Sequence, residues 1–187
     1  MNAMNTLEQL SQTVSNQRDT ISSALAPMDL SLLSYKPAPG SWSILECLER
    51  LNRYSRYYNP CLAKAITRNP NHDYSQPITY SWIGKKSLEI VRPDNGKKHK
   101  TVQHMNPSNS QLDLRTIEEF LKHQIELLQL LNNAQSANLN KKAIPVEFFR
   151  LLKLRIGETL EFVVLHQERH LQQALRVKQQ LAQQAAA

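Results

Sequence analysis

Apolar residues recur at intervals of three and four along four stretches of the chain. Each stretch predicts an amphipathic helix. The first runs from about residue 6 to 26, with Leu7, Leu10, Val14, Ile21 and Leu25 on one stripe, and Pro27 ends it. The second opens at "SWSILECLERLNRYSRYYNP". Ser41 or Ser43 suits the N-cap, and Glu46 stands three past Ser43, as in a capping box. Its stripe is Ile44, Leu48, Leu51, Tyr58 and Leu62; Pro60 predicts a kink or an early end, and Pro70 a stop. The third covers about 113–133, with Ile117, Leu121, Ile125 and Leu128 on its stripe. The fourth is expected from about Val146 to Leu181, with a break near Gly157. Its stripe is Ile156, Leu160, Val163, His170, Ala174, Val177 and Leu181.

Between the second and third periodic stretches, residues 69–110 show no sustained period and hold four prolines and two glycines. The segment reads as a long crossover connection with little helix, and "YSWIGKKSLEIV" within it as short strands or turns. Connections of this length are usually functional or a deliberate crossover. Four amphipathic helices of about twenty residues bury their stripes together as an all-α four-helix bundle, a single domain over 1–187. A long second connection returns the chain to the same end, so the second and third helices can run parallel, in up-down-down-up order. The connections after the first and third are read as short, and the Gln- and Ala-rich end as frayed.

Composition agrees with helices: only four glycines stand in 187 residues. The net charge is +7, and part of the excess is local. From Arg68 to Lys100 there are seven basic residues against Asp73, Glu89 and Asp94. No interleaved aromatics or groove-reading motif accompany them, so a solvated basic loop is favoured over a nucleic-acid surface. Cys47 and Cys61 are fourteen apart; on one helix that is ~21 Å, against the ~7 Å a disulfide allows. They are read as free thiols of a reducing compartment. No apolar run approaches ~18 residues and no apolar leader opens the chain, so no membrane is expected and the location is read as cytoplasmic.

The candidate chemistry lies in "HQERH", residues 166–170. His166 and His170 are spaced i, i+4, on the same stripe as Val163, so both imidazoles should project into the bundle while Glu168 and Arg169 project away. Such a pair is either two interior histidines satisfied by hydrogen bonds or part of a metal site, for which catalytic zinc usually draws three protein ligands.

"SWSILECLERLNRYSRYY" resembles the second-helix signature of the DinB-like superfamily, and "LRIGETLEFVVLHQERHLQQALRV" resembles its last helix. "TYSWIG" and "MNPSNSQLDLRTIEEFLKHQ" are similar to a branch of small bacterial members with a long middle connection. The resemblance covers nearly the whole chain and implies an up-down-down-up four-helix bundle. It also implies a divalent metal, often zinc or nickel, held by one His of the second helix and the His pair of the last. Relatives include thiol transferases using bacillithiol and a mycothiol-dependent isomerase, so a low-molecular-weight thiol is an implied cofactor.

Setting "LECLERLN" on that pattern puts Arg50 where the first ligand His stands. A guanidinium has no lone pair to give. At ~4 Å and an effective dielectric of ~20 it repels each unit of positive charge by about 4 kcal/mol, and a divalent ion by twice that. Zinc or nickel at His166 and His170 would then need a substitute ligand. Cys47, one turn before Arg50, is the first candidate; His123, His72, His99 and His104 are the others. The same substitution makes a cleft of Arg50, His166 and His170 that suits a carboxylate or phosphate, unless Arg50 pairs with Glu46. Trp42 and Tyr54 flank that face, Trp42 as an anchor of the bundle end.

Three functions follow from these residues. The first is a small-molecule or anion binder with an altered metal site. The second is an active metal-dependent thiol transferase or hydrolase. The third is a non-catalytic bundle serving homodimerisation or partner binding. Whether the chain is an enzyme stays open at this point.

Overall fold

The computed structural model describes residues 2–71, 76–95, 102–108 and 110–186. The fold is mostly helical. Four long helices carry it: α1 (Ala3–Thr20), α3 (Ile44–Arg68), α5 (Arg115–Ala134) and α6 (Ile156–Ala185). Two short ones join them, α2 (Leu30–Leu33) and α4 (Trp82–Val91). A π-helical turn, Ile21–Leu25, extends α1, and a 3₁₀ turn, Gln103–Met105, precedes α5.

The helix starts follow local chemistry. The Asn2 side chain accepts the Asn5 N–H at 2.9 Å and opens α1. At α3 the capping box forms as the sequence predicts: Ser43 Oγ accepts from Glu46 N at 3.2 Å, and the Glu46 carboxylate accepts from Ser43 N at 2.9 Å. Pro60 does not end α3, which continues to Arg68 with Asn69 as its C-cap. The proline removes one donor, and the packing of Tyr58, Leu62 and Ile66 on both sides outweighs that loss.

Three expectations need correction. The middle segment is not poor in helix: "WIGKKSLEIV" forms α4, capped by Ser81, whose Oγ accepts from Gly84 N at 3.0 Å. The final helix starts at Ile156 and not near Val146. The chain ahead of it forms an antiparallel hairpin of β1 (Lys142–Val146) and β2 (Phe149–Arg155), pairing Ile144 with Leu154 and Val146 with Phe149. The link after α5 is therefore a built element and not a short turn. Finally, the buried face of α5 is rotated from the expected stripe. Ile117, Phe120, Leu127 and Leu131 are buried, whereas Ile125 is 59% exposed.

Glu158 fixes α4 to the start of α6. Its carboxylate is fully buried and accepts from Arg155 N at 2.9 Å, from Ser81 Oγ at 3.1 Å and from Ser81 N. Gly84 lies directly over this carboxyl group, and a Cβ there would displace it from its place beside Ser81. At its other end α4 is held by Arg169, whose guanidinium donates to the carbonyls of Arg92 at 2.9 Å and Asn95 at 2.6 Å. Cys47 and Cys61 both lie on α3 and are free. Among the described residues no helix is long and apolar enough to cross a membrane.

Candidate functional site

His166 and His170 both point inward from α6, 4% and 8% exposed. Their rings meet edge to face with centroids 4.7 Å apart. Four aromatic or cationic groups close around them. The Tyr54 ring lies 4.2 Å from His166, Phe162 stacks on His166 at 5.8 Å, and Trp42 lies 5.5 Å from His170. Arg50 completes the set, with its guanidinium carbon 4.7 Å from the Tyr54 ring centre and 5.8 Å from that of Trp42. The structure therefore brings together the three residues that the sequence singled out: Arg50, His166 and His170.

Arg50 does not pair with Glu46. That carboxylate is taken by its own capping box and by Lys36 Nζ at 2.7 Å. Arg50 instead donates from Nη1 to the Met105 carbonyl at 2.8 Å and from Nη2 to the Tyr54 hydroxyl at 3.2 Å. Its Nε has no partner, and among the described residues it forms no ion pair. At 8% exposure this is a buried cation whose hydrogen bonds all go to neutral groups and which lies against aromatic faces. The faces return up to about 2 kcal/mol. Removing an ion from water costs several kcal/mol, so the local positive charge is left under-compensated. Burial lowers the Arg50 pKa, yet a guanidinium remains charged.

The carboxylate that Arg50 feels is Glu147, at the hairpin turn. Its backbone N–H donates to the Tyr58 hydroxyl at 3.3 Å, one carboxylate oxygen meets His104 Nε2, and the other is buried without a partner. Sequence reasoning missed Glu147 because the stretch read as the start of a helix, and Met105 because nothing marks a carbonyl acceptor in sequence.

Burial sets the protonation of the pair. It pushes His166 well below the usual imidazole range, and the charges of His170, Arg50 and Arg169 act in the same direction. His170 falls to about 4, first through burial and then through Arg50, although its hydrogen bond to Gln173 opposes the shift. Both rings are thus neutral at pH 7. The unfolded chain takes up protons near pH 6.5 while the folded one resists until about 4, so stability is full above pH 6.5 and is lost as pH falls through that window. For His170 the loss should reach about 3 kcal/mol. Denaturant midpoints measured from pH 7 to pH 4 should fall accordingly, and His170→Gln should flatten the slope.

The remaining candidates lie elsewhere. Cys47 is fully buried in apolar packing with Leu48 and Leu51, and burial pushes its thiol far above the ordinary range. The Cys47 thiol therefore sits within the apolar packing of α3. His123, on α5, is engaged by Glu126 at 2.9 Å and Glu119 at 3.3 Å. His104 is exposed and bound to Glu147. His72 and His99, with much of the basic stretch, lie outside the described residues. Among the described residues no group of three or more His, Cys, Asp or Glu side chains is arranged to hold a metal ion. The divalent metal implied by the resemblance does not fit the donors at this position, which are two imidazoles and a fixed cation.

Arg50 has a neighbour in its work. Arg53, one turn's edge away on α3, donates to the carbonyls of His104 at 3.1 Å and Asn106 at 2.7 Å and to Ser110 Oγ at 2.9 Å. Trp42 Nε1 donates to Ser108 Oγ at 3.1 Å. These bonds lay residues 104–108 and Ser110 of the return segment across the site.

In comparisons with known proteins, a family model described as the DinB superfamily matches residues 13–174. The uncharacterised protein YuaE of Bacillus subtilis (strain 168) is 23% identical over 153 residues, 80% of this chain and 85% of that protein. No solved structure matches.

Proposed function

The chain belongs to the DinB superfamily, and from that premise we propose that it is a binder of small anionic molecules in which Arg50 has taken over a metal-ligand position. Arg50, His166 and His170 form the ligand site. The carboxylate or phosphate of the ligand meets the guanidinium, and the two neutral imidazoles offer hydrogen bonds without adding charge. The bundle order read here is up-down-down-up. Asn52 donates to Thr116 and Asn59 to Glu126, so contacts between α3 and α5 advance in the same direction. Those between α3 and α6 run in opposite directions, from Tyr54 beside His166 to Tyr58 beside Phe162.

The observation that carries the anion reading is the buried guanidinium without an ion pair. An anion entering this site supplies the missing charge at a place where water is already excluded and the donors are already oriented. Calorimetric titration with inorganic phosphate and with acetate tests it. Saturable binding is expected at one site per chain, and Arg50→Gln should weaken it on the order of 10- to 100-fold, the worth of a hydrogen bond to a charged group.

A second reading is favoured by one specific observation. Arg50 and Arg53 both donate to backbone carbonyls of the return segment, as a structural strap would. A protein that binds neither anion, and whose Arg50→Gln variant loses only folding stability, would be a non-catalytic bundle of that kind.

A further inference from the structure

Every long helix buries at least one polar side chain where the apolar core is interrupted. The core divides into two clusters. One contains Val14 of α1, Tyr58 of α3, Leu127 of α5 and Val164 of α6. The other contains Ile21, Leu51, Phe120 and Leu171, further along or further back on the same four rods. Between the two clusters stand Gln17 on α1, Ser55 on α3, Gln124 on α5 and Gln167 on α6. None is more than 2% exposed. Their positions along the four helices place these four residues at the level between the two clusters.

The layer is poorly satisfied by protein. Gln17 Nε2 donates to the Val164 carbonyl at 3.3 Å and to Glu168 at 3.0 Å, which ties α1 to α6. Gln17 Oε1, Ser55 Oγ, and both amide atoms of Gln124 and of Gln167 have no protein partner. A buried donor or acceptor left unmade costs about 1–3 kcal/mol. Six together would cancel most of the net stability of a domain, which is about 5–15 kcal/mol. The orphaned groups include both donors and acceptors and carry no formal charge. That mixture fits a small neutral molecule that both gives and accepts hydrogen bonds.

We propose that this level of the bundle is a built hydration site, in which ordered water bridges Gln17, Ser55, Gln124 and Gln167 across all four long helices. A buried water makes about three hydrogen bonds, so about two molecules satisfy the six atoms. The bridged layer also fixes helix register. Sliding one helix by a turn would bring an apolar residue against the water and strand its amide in an apolar half. The proposal uses none of the atoms assigned to the Arg50 site.

Water–protein NOE and ROE spectra of the isotope-labelled protein test the proposal. The side-chain amide protons of Gln124 and Gln167 should show cross-peaks to water with the opposite NOE and ROE signs that mark long-lived bound molecules. In Gln124→Leu, a change of similar volume, the water cross-peaks of Gln167 should fall several-fold. Amide protons of Gln124 and Gln167 that show cross-peaks to each other and none to water would overturn the proposal, because the layer would then be closed by direct bonds. So would an unchanged Gln167–water signal in a folded Gln124→Leu variant. The parent spectrum decides the first point even if the variant fails to fold.

Discussion

Arg50→His is expected to turn the chain into a binder of zinc or nickel, at one ion per chain, with affinity on the order of 100-fold or more above the parent. Two imidazoles already converge, with ring centres 4.7 Å apart, and burial keeps both neutral at pH 7. Each therefore has a lone pair available. A third imidazole at position 50 supplies the missing donor and removes the fixed cation, whose repulsion on a divalent ion is about 8 kcal/mol at ~4 Å and an effective dielectric of ~20. Recovering even about a third of that gives the stated change. Binding should weaken as pH falls, because protons compete for the same nitrogens. Elemental analysis and metal titration of both proteins provide the check. Tight binding by the parent would mean that a further donor completes the site, with His72 and His99 the first to test. No gain in the variant would mean that the surrounding residues no longer support a metal.

The second large effect is expected from Arg53→Ala. One side chain makes three hydrogen bonds to the return segment, two of them to backbone carbonyls, and pairs with Glu49 at 2.9 Å. Hydrogen bonds to a charged group contribute about 1.5–3 kcal/mol each when buried, and partial exposure reduces that. A loss of about 2–4 kcal/mol is expected in denaturant unfolding. The loss should be local as well. Amide exchange should accelerate at His104, Met105 and Asn106, while the amides of Leu160 and Val164 in the core keep their protection. Uniform acceleration across the chain would show that Arg53 supports the whole bundle and not the segment over the site.

The parts of the fold legible in sequence are those fixed by local pattern. The stripe of α1, the capping box at Ser43 and the inward pair on α6 all depend on residues within a turn or two of one another. What the sequence concealed depends on distant partners. "YSWIGKKSLEIV" becomes helical because Ser81 caps it and Glu158, some 77 residues away, accepts from the same cap. The hairpin at 142–155 was hidden by its run of apolar residues, although Pro145 speaks against a helix there. The shift of the α5 face has a similar origin. Ile125 is exposed and Gln124 buried, because the face of α5 that meets α3 and α1 is set by how the helices pack and not by hydropathy alone. At the site, the inward placement of His166 and His170 could be read from their spacing. The partners of Arg50 could not, since a carbonyl at Met105 leaves no mark in a side-chain sequence.

The central claim is that the buried guanidinium of Arg50 awaits an anion. Its Nε–H, the donor left without a protein partner, reports on this directly. In the parent protein titrated with inorganic phosphate at constant ionic strength, the Arg50 Nε–H resonance should move downfield along a saturable curve, and the side-chain resonances of His166 and His170 should follow the same curve. An Arg50 Nε–H resonance that stays in place through tens of millimolar phosphate, while exposed arginines shift only weakly and without saturation, would contradict the account.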